Sequence, residues 1–171
     1  MHERTANLLG ATALAVADLV LADAYRRVGV SASGAAALVV IAASPALSVT
    51  ELGRRVGLSQ SAAARMVDSL ERQRLVTRRR HQGREVAVAL TASGPRAVRR
   101  LLDARGAGLS ELLEVLDSDE QEQLAGLLAK LLTRAYEHVG NAELLCRLCD
   151  RASCVRDAVC PVGQAERDRG G

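Results

Sequence analysis

Four cysteines near the C-terminus have a spacing that could surround one inorganic centre. Cys146, Cys149, Cys154 and Cys160 form a C-x2-C-x4-C-x5-C pattern followed by Pro161, and no cysteine precedes them. Contiguous short loops ending in Cys-Pro are typical of iron–sulfur cluster ligation, whereas structural zinc usually joins two knuckles across a longer spacer. The pattern therefore predicts an iron–sulfur cluster or a Zn²⁺ ion, with metal-free redox thiols as a third interpretation.

The N-terminal apolar run bears on where the protein works. The run from Leu8 to Ala24 has the length of a signal peptide, but Asp18 lies inside it and its apolar residues recur at helical spacing. We interpret it as a packed amphipathic helix. We therefore expect a cytoplasmic protein with no membrane partner. In the cytosol, cysteines serve as metal ligands or redox thiols more often than as structural disulfides.

A second chemical feature is a short cationic stretch. The net charge is only +3, yet the stretch from Arg72 to Arg84 contains six arginines and no acidic residue. Such local positive charge favours a polyanionic partner such as duplex DNA. Aromatic residues make up 1% of the chain, which excludes modules that stack single-stranded bases on aromatic platforms.

The elements around this stretch would position it against a duplex. Ser48 and Glu51 form a possible capping box for a short helix ending at Val56, Gly57 allows a tight turn, and Ser59 can cap a second helix. Two short strands are predicted over 75–78 and 86–90, with arginines between them. A helix, a turn, a second helix and a basic hairpin make a winged helix-turn-helix.

The second helix and the hairpin carry side chains that suit DNA recognition. A helix fits the major groove, where short or forked polar side chains read base edges, while arginines beside it hold phosphates. Arg84, at the hairpin tip, is expected to reach the minor groove. The predicted DNA-binding residues are Ser59, Gln60, Ser61, Ala62, Ala64, Arg65, Arg72, Arg78, Arg79, Arg80 and Arg84.

The remaining sequence predicts long helices that pair two subunits. Apolar residues from Leu124 to Val139 recur every three or four positions, and one small lobe cannot cover such a stripe. We expect a homodimer that is mainly α with a small β-hairpin wing. The expected organisation is a helical dimerisation region at 1–30 and 95–145, a DNA-binding lobe at 31–94, a cysteine metal-binding segment at 146–160 and a flexible tail at 161–171.

The segment LSVTELGRRVGLSQSAAARMVDSLE at 47–71, with Leu75-Val76 and the LTASG run at 90–94, closely resembles the winged-helix region of the multiple antibiotic resistance regulator (MarR) family. The resemblance covers roughly Thr5 to Val139. It implies a two-fold dimer with interlocked terminal helices and an effector pocket beside the DNA-binding lobe. The wing departs from the family pattern, because it is about two residues short and has Gly83 where an acidic residue usually precedes the tip arginine. The cysteine segment is absent from most members and would define a subgroup.

Together these features predict a sequence-specific regulator of transcription, expected to be a repressor, whose affinity for double-stranded DNA depends on the cysteine centre. One alternative is a regulator of the same kind that responds to a small-molecule effector, with the cysteines holding a structural zinc. Another is a winged-helix module that binds protein. An enzyme is not expected, because the sequence has no Gly-x-Ser-x-Gly and no phosphate-binding glycine loop.

Overall fold

A computed structural model of the chain describes residues 2–81 and 85–170. Its N-terminal helical run consists of α1 (His2–Ala15), a π-helical segment (Val16–Leu21) and α2 (Ala22–Val28). An 18-residue window within Glu3–Val28 has a mean hydropathy of 1.6, so by length and composition this run could cross a membrane. Core helices of soluble proteins and signal sequences meet the same criterion. Val20 and Ala24 are buried, whereas the side chains at 3–15 are exposed.

The central lobe contains α3 (Ala32–Ala43), β1 (Leu47–Ser48), α4 (Val49–Val56), α5 (Gln60–Arg72), β2 (Val76–His81) and β3 (Glu85–Leu90). The strands form an antiparallel sheet in the order β1-β3-β2, with Leu47 opposite Val88 and Val76 opposite Leu90. The sequence predicts β2 and β3 but not β1, whose two residues become a strand only because β3 pairs with them. Helix α3 is apolar all round and is buried from Gly34 to Ile41, at the centre of the core.

The C-terminal part contains α6 (Gly94–Leu113), α7 (Ser118–Val139), α8 (Ala142–Leu145), α9 (Arg151–Cys154) and α10 (Pro161–Gly170). Asp117 and Glu120 form a reciprocal capping box at the start of α7. Helix α10 occupies Pro161–Gly170, within the segment that the sequence analysis expects to be a flexible tail at 161–171. Pro161 suits the first turn of a helix, and the buried Val162 packs in a small second core with Tyr136 and Ala142.

The predicted fold class is confirmed: the chain is mainly helical, with a winged helix-turn-helix between long N- and C-terminal helices. The long helices leave much apolar surface uncovered. Exposed large apolar residues include Leu8, Leu9, Leu14 and Leu19 in the N-terminal run and Leu127, Leu128, Leu131, Leu132 and Val139 on α7. Contiguous apolar patches of this kind mark interaction surfaces.

Candidate nucleic-acid interface and cysteine pocket

Local hydrogen bonds fix the turn between α4 and α5. The Ser48 hydroxyl accepts from the Glu51 N–H at 3.2 Å, and the Ser59 hydroxyl accepts from the Ala62 N–H at 3.4 Å. Both capping serines therefore act as predicted, but the Glu51 carboxylate binds arginines instead of completing a capping box. Gly57 ends α4 with a φ of 73°, which favours glycine.

A close approach of α4 and α5 also depends on a glycine that the sequence analysis did not single out. A Cβ at Gly53 would lie 2.7 Å from the Ala63 Cβ, so any larger side chain would push the helices apart. The two helices can therefore approach this closely only because each has a small residue at the contact. The sequence signal for this contact was a glycine inside a helical pattern. Glycine destabilises a helix by about 1 kcal/mol relative to alanine, so a glycine there indicates that packing requires it.

Helix α5 separates into an apolar face and a polar face. Its buried residues are Ala63, Met66, Val67 and Leu70, which join the main core. Of the predicted DNA-binding residues, Ser59, Gln60, Ser61, Arg65 and Arg72 are exposed, and Ala62 and Ala64 are half-buried. The polar groups of the first two turns therefore face solvent, as a recognition helix requires.

The wing arginines fall into two groups. Arg79 and Arg80 are exposed, but Arg78 is half-buried and forms ion pairs with Glu71 and, at 2.7 Å, with Asp68. The hydrogen bond that Arg78 donates to Asp68 is the main reason why the pKa of Arg78 is raised. Arg78, which is expected to hold a phosphate, fastens β2 to α5 in this structure. Arg84 and Gly83 lie outside the described residues.

Two further arginines, on α4, are held from both sides by carboxylates. Glu51 accepts from Arg54 at 2.7 Å and from Arg55 at 2.8 Å. Glu143 on α8 pairs with the same two guanidinium groups, each at 2.8 Å. Hydrogen bonds from Arg54 and then Arg55 lower the pKa of Glu51 to about 2. The sequence analysis missed this cluster because Glu143 lies 89 residues from Arg54.

The four cysteines line a single cavity of about 280 Å³. Cys154 is exposed and the other three are half-buried. Burial, followed by the neighbouring Cys154, raises the pKa of the Cys149 thiol to about 12. Burial, followed by Cys160, also raises the pKa of Cys146. Burial thus favours the neutral form of both thiols.

Four cysteine thiols are suitable ligands for a metal, but their sulfur atoms are not arranged around one point. Across 2–81 and 85–170, no group of three or more His, Cys, Asp or Glu side chains could hold a metal ion as placed. The cavity walls nevertheless bring together all four residues of the motif. Ligation of a centre would require loss of the thiol protons and inward movement of the loops.

A larger cavity of about 660 Å³ lies between the N-terminal helical run and α6. Its walls include Leu19, Val20, Ala104, Gly108 and Leu112, together with Asp23 and Arg27. Asp23 binds Arg27 and Arg26, and these hydrogen bonds lower the pKa of its carboxyl group. The cavity is thus mostly apolar with one charged edge, which is a common composition for small-molecule sites.

Comparisons with known proteins agree on the fold. Residues 28–85 match the family model of the MarR family. The structure of Rv1404 from Mycobacterium tuberculosis is 27% identical and has a TM-score of 0.65, with 82% of this chain and 94% of that chain covered. MarR in its apo form from E. coli is 27% identical with a TM-score of 0.61, covering 72% and 96%.

A third solved structure, a MarR family protein from Bacillus stearothermophilus, is 25% identical with a TM-score of 0.68, covering 79% of this chain and 98% of that chain. No curated protein sequence matches the chain. The fold is therefore that of MarR-family transcriptional regulators. The cysteine segment lies outside the residues that the family model matches.

Proposed function

We propose that this chain is a cytoplasmic homodimer of the MarR type that binds specific double-stranded DNA sites and represses transcription, with an affinity set by a centre in the cysteine pocket. The observation that carries the DNA-binding part is the capped turn that leaves Gln60, Ser61 and Arg65 exposed on α5, with Arg79 and Arg80 exposed on the strand that Arg78 joins to α5. Polar groups for base edges and cations for phosphates are thus both available to a duplex. No enzymatic activity is proposed.

The uncovered apolar surface supports the dimer. The N-terminal helical run and α7 expose leucines along most of their length. A second copy of the same surface would cover them through an isologous contact, the commonest kind of oligomer interface. We therefore assign Glu3–Val28 to subunit packing and not to a membrane. Two recognition helices could then reach major grooves about 34 Å apart.

The cysteine pocket supports an iron–sulfur cluster more than a single Zn²⁺. All four cysteines line one cavity of about 280 Å³, and they lie in contiguous short loops ending in Cys-Pro instead of two knuckles joined by a longer spacer. Such a cavity suits a centre of several atoms held by four thiolates.

The 660 Å³ cavity supports a second candidate. In this alternative a small apolar effector with a cationic or anionic group would bind against Asp23 and Arg27, and the cysteines would hold a structural zinc. Effector binding between the N-terminal run and α6 would then change the spacing of the DNA-binding lobes.

The decisive experiment measures duplex binding and metal content on the same anaerobically purified protein. A selected DNA site should bind more tightly than random duplex, and both affinities should fall steeply with salt. Salt-independent binding, or no preference for any sequence, would contradict the proposal and favour a protein-interaction module. Ultraviolet–visible spectra with iron, sulfide and zinc analysis then decide between cluster and zinc.

The modulation is tested by comparing three forms of the same dimer, namely metal-loaded, air-exposed and chelator-treated, together with Cys149→Ser. We expect the loaded form to differ from the others in operator affinity, with coupling of about 1–3 kcal/mol. Equal affinities in all folded forms would reduce the centre to a structural staple. Absence of bound metal in every preparation would refute the ligand assignment.

A further inference from the structure

Resting on the proposed function, we infer that occupation of the cysteine pocket reaches the DNA-binding surface through α8 of the same subunit, with Glu143 and Leu144 as positioning residues. This coupling within one subunit differs from coupling that runs only through the dimer helices. It requires that α8 contact both the helix-turn-helix and the pocket, and that the position of α8 depend on these neighbours.

The contact with the helix-turn-helix is both ionic and apolar. Glu143 pairs with Arg54 and Arg55 at 2.8 Å each, and its side chain is only 25% exposed. Leu144 lies over the turn, where an atom at the Cβ position of Gly57 would be 3.0 Å from Leu144 Cδ1. The first helix of the motif and its turn are therefore both covered by α8.

The contact with the pocket is direct. Glu143 and Cys146 line the same cavity, and the Cys146 N–H donates to the Ala142 carbonyl at 2.9 Å, at the end of α8. Two residues further on, Leu148 packs against the main core. A movement of the cysteine loops around a centre therefore displaces the end of α8.

Helix α8 cannot hold this position alone. It has four residues, Ala142–Leu145, and isolated helices shorter than about 12 residues are marginal in water. Asn141 caps its N-terminus by accepting from the Leu144 N–H at 3.0 Å, and at the other end the Arg147 guanidinium donates to the Leu144 carbonyl at 2.6 Å. Its placement is consequently set by its neighbours, namely α4, the second core of Tyr136 and Val162, and the cysteine loops.

The consequence for DNA follows from the place of α4. In a helix-turn-helix the first helix crosses the DNA backbone while the second enters the groove. Arg54 is 56% exposed, so the same guanidinium that binds Glu143 can also face a phosphate. When the centre holds α8 in place, α8 restricts the movement of α4 and Gly57. When the centre is lost, this restriction is weaker and the helix-turn-helix populates different conformations for DNA to bind.

The test compares the dissociation constant for the operator in two forms of each variant. The loaded form is reconstituted anaerobically with ferrous iron and sulfide or, separately, with Zn²⁺, and the other form is treated with chelator. In the wild-type chain we expect these constants to differ at least fivefold. Glu143→Gln and Leu144→Ala should bring the ratio within twofold while metal content and dimer mass stay unchanged.

Glu166→Gln is the matched control, because Glu166 also lines the cysteine cavity but lies on α10 and, among the described residues, forms no ion pair with α4. It should keep the wild-type ratio. A second measurement is amide hydrogen exchange. Loading should slow exchange in α4 and at Gly57 in the wild-type chain by at least threefold, and should leave those rates unchanged in Glu143→Gln.

The outcomes separate this inference from the proposed function. A wild-type ratio near one, with intact operator binding, refutes regulation by the cysteine pocket and this route with it, while leaving the DNA-binding proposal standing. A wild-type ratio that persists in both Glu143→Gln and Leu144→Ala overturns this route alone and assigns the coupling to α7 and the dimer interface.

Discussion

Arg78 Nη2 lies 2.7 Å from Asp68 Oδ1, so the first wing strand is fastened to the recognition helix. The Glu71 carboxylate also accepts from the Arg78 backbone N–H at 2.8 Å. An arginine used in this way holds the wing at a set angle to α5. Its neighbours Arg79 and Arg80 remain exposed, as the proposed phosphate contacts require.

This division predicts different salt dependences for adjacent substitutions. Arg79→Ala should weaken specific and random duplexes alike and reduce the salt slope by about one unit, because one phosphate contact is lost. Arg78→Ala should leave the slope unchanged and lower the free energy of unfolding by about 1 kcal/mol, as expected for a half-exposed ion pair. Binding isotherms at several salt concentrations and urea unfolding measure both. A slope lowered equally by the two substitutions would contradict the division.

Arg65 is predicted to read sequence. It is exposed in the second turn of α5, where a guanidinium fork can reach base edges. Arg65→Ala should cost about 1–3 kcal/mol on the selected site and relax its base preference. Arg72→Ala, two turns further along the helix, is the comparison and should weaken all duplexes similarly. Competition binding against a library of single-base variants gives the result, and equal losses for Arg65→Ala on every sequence would show that it holds only phosphate.

The exposed apolar stripe on α7 predicts a dimer interface that one introduced charge would disrupt. Leu131 is 48% exposed, and a buried unpaired carboxylate at that position would be costly in a subunit interface. Leu131→Glu should therefore yield monomers that bind the operator far more weakly, measured by sedimentation and anisotropy. Lys130→Glu reverses a charge about 100° around α7 from Leu131, away from the apolar stripe, and should remain dimeric. A wild-type mass that stays monomeric at all concentrations would exclude this interface.

The carboxylate of Glu51 predicts an acid-sensitive contribution to stability. Its pKa is lowered to about 2 by Arg54 and Arg55, so the ionised form is favoured in the folded chain. Stability from this group is fully present above its ordinary pKa of about 4.5 and is lost as the pH falls towards 2. Glu51→Gln should flatten that part of the pH profile of unfolding. An unchanged profile would mean that solvent screens these ion pairs.

Much of the lobe was predictable because local rules and the final packing agree there. Ser48, Gly57 and Ser59 mark the turn through capping and backbone preference, and the apolar spacing of α5 fixes its buried face. What the sequence could not show depends on pairing across long separations. Strand β1 exists only beside β3, and Glu143 meets α4 only after the whole chain has folded. Helix α10 was missed because its polar composition hides the single buried anchor, Val162.

The π-helical segment Val16–Leu21 has a geometric consequence for the whole N-terminal run. One π turn holds an additional residue relative to an α turn, and each residue rotates the side-chain direction by about 100°. Residues before the segment are thereby put out of phase with those after it, so Ala24 can face its own lobe while Leu8 and Leu9 face away. Removing one residue from this segment would restore an uninterrupted α-helix and rotate the leucines of α1 by about 100° around the helix axis, so that they would face a different neighbour.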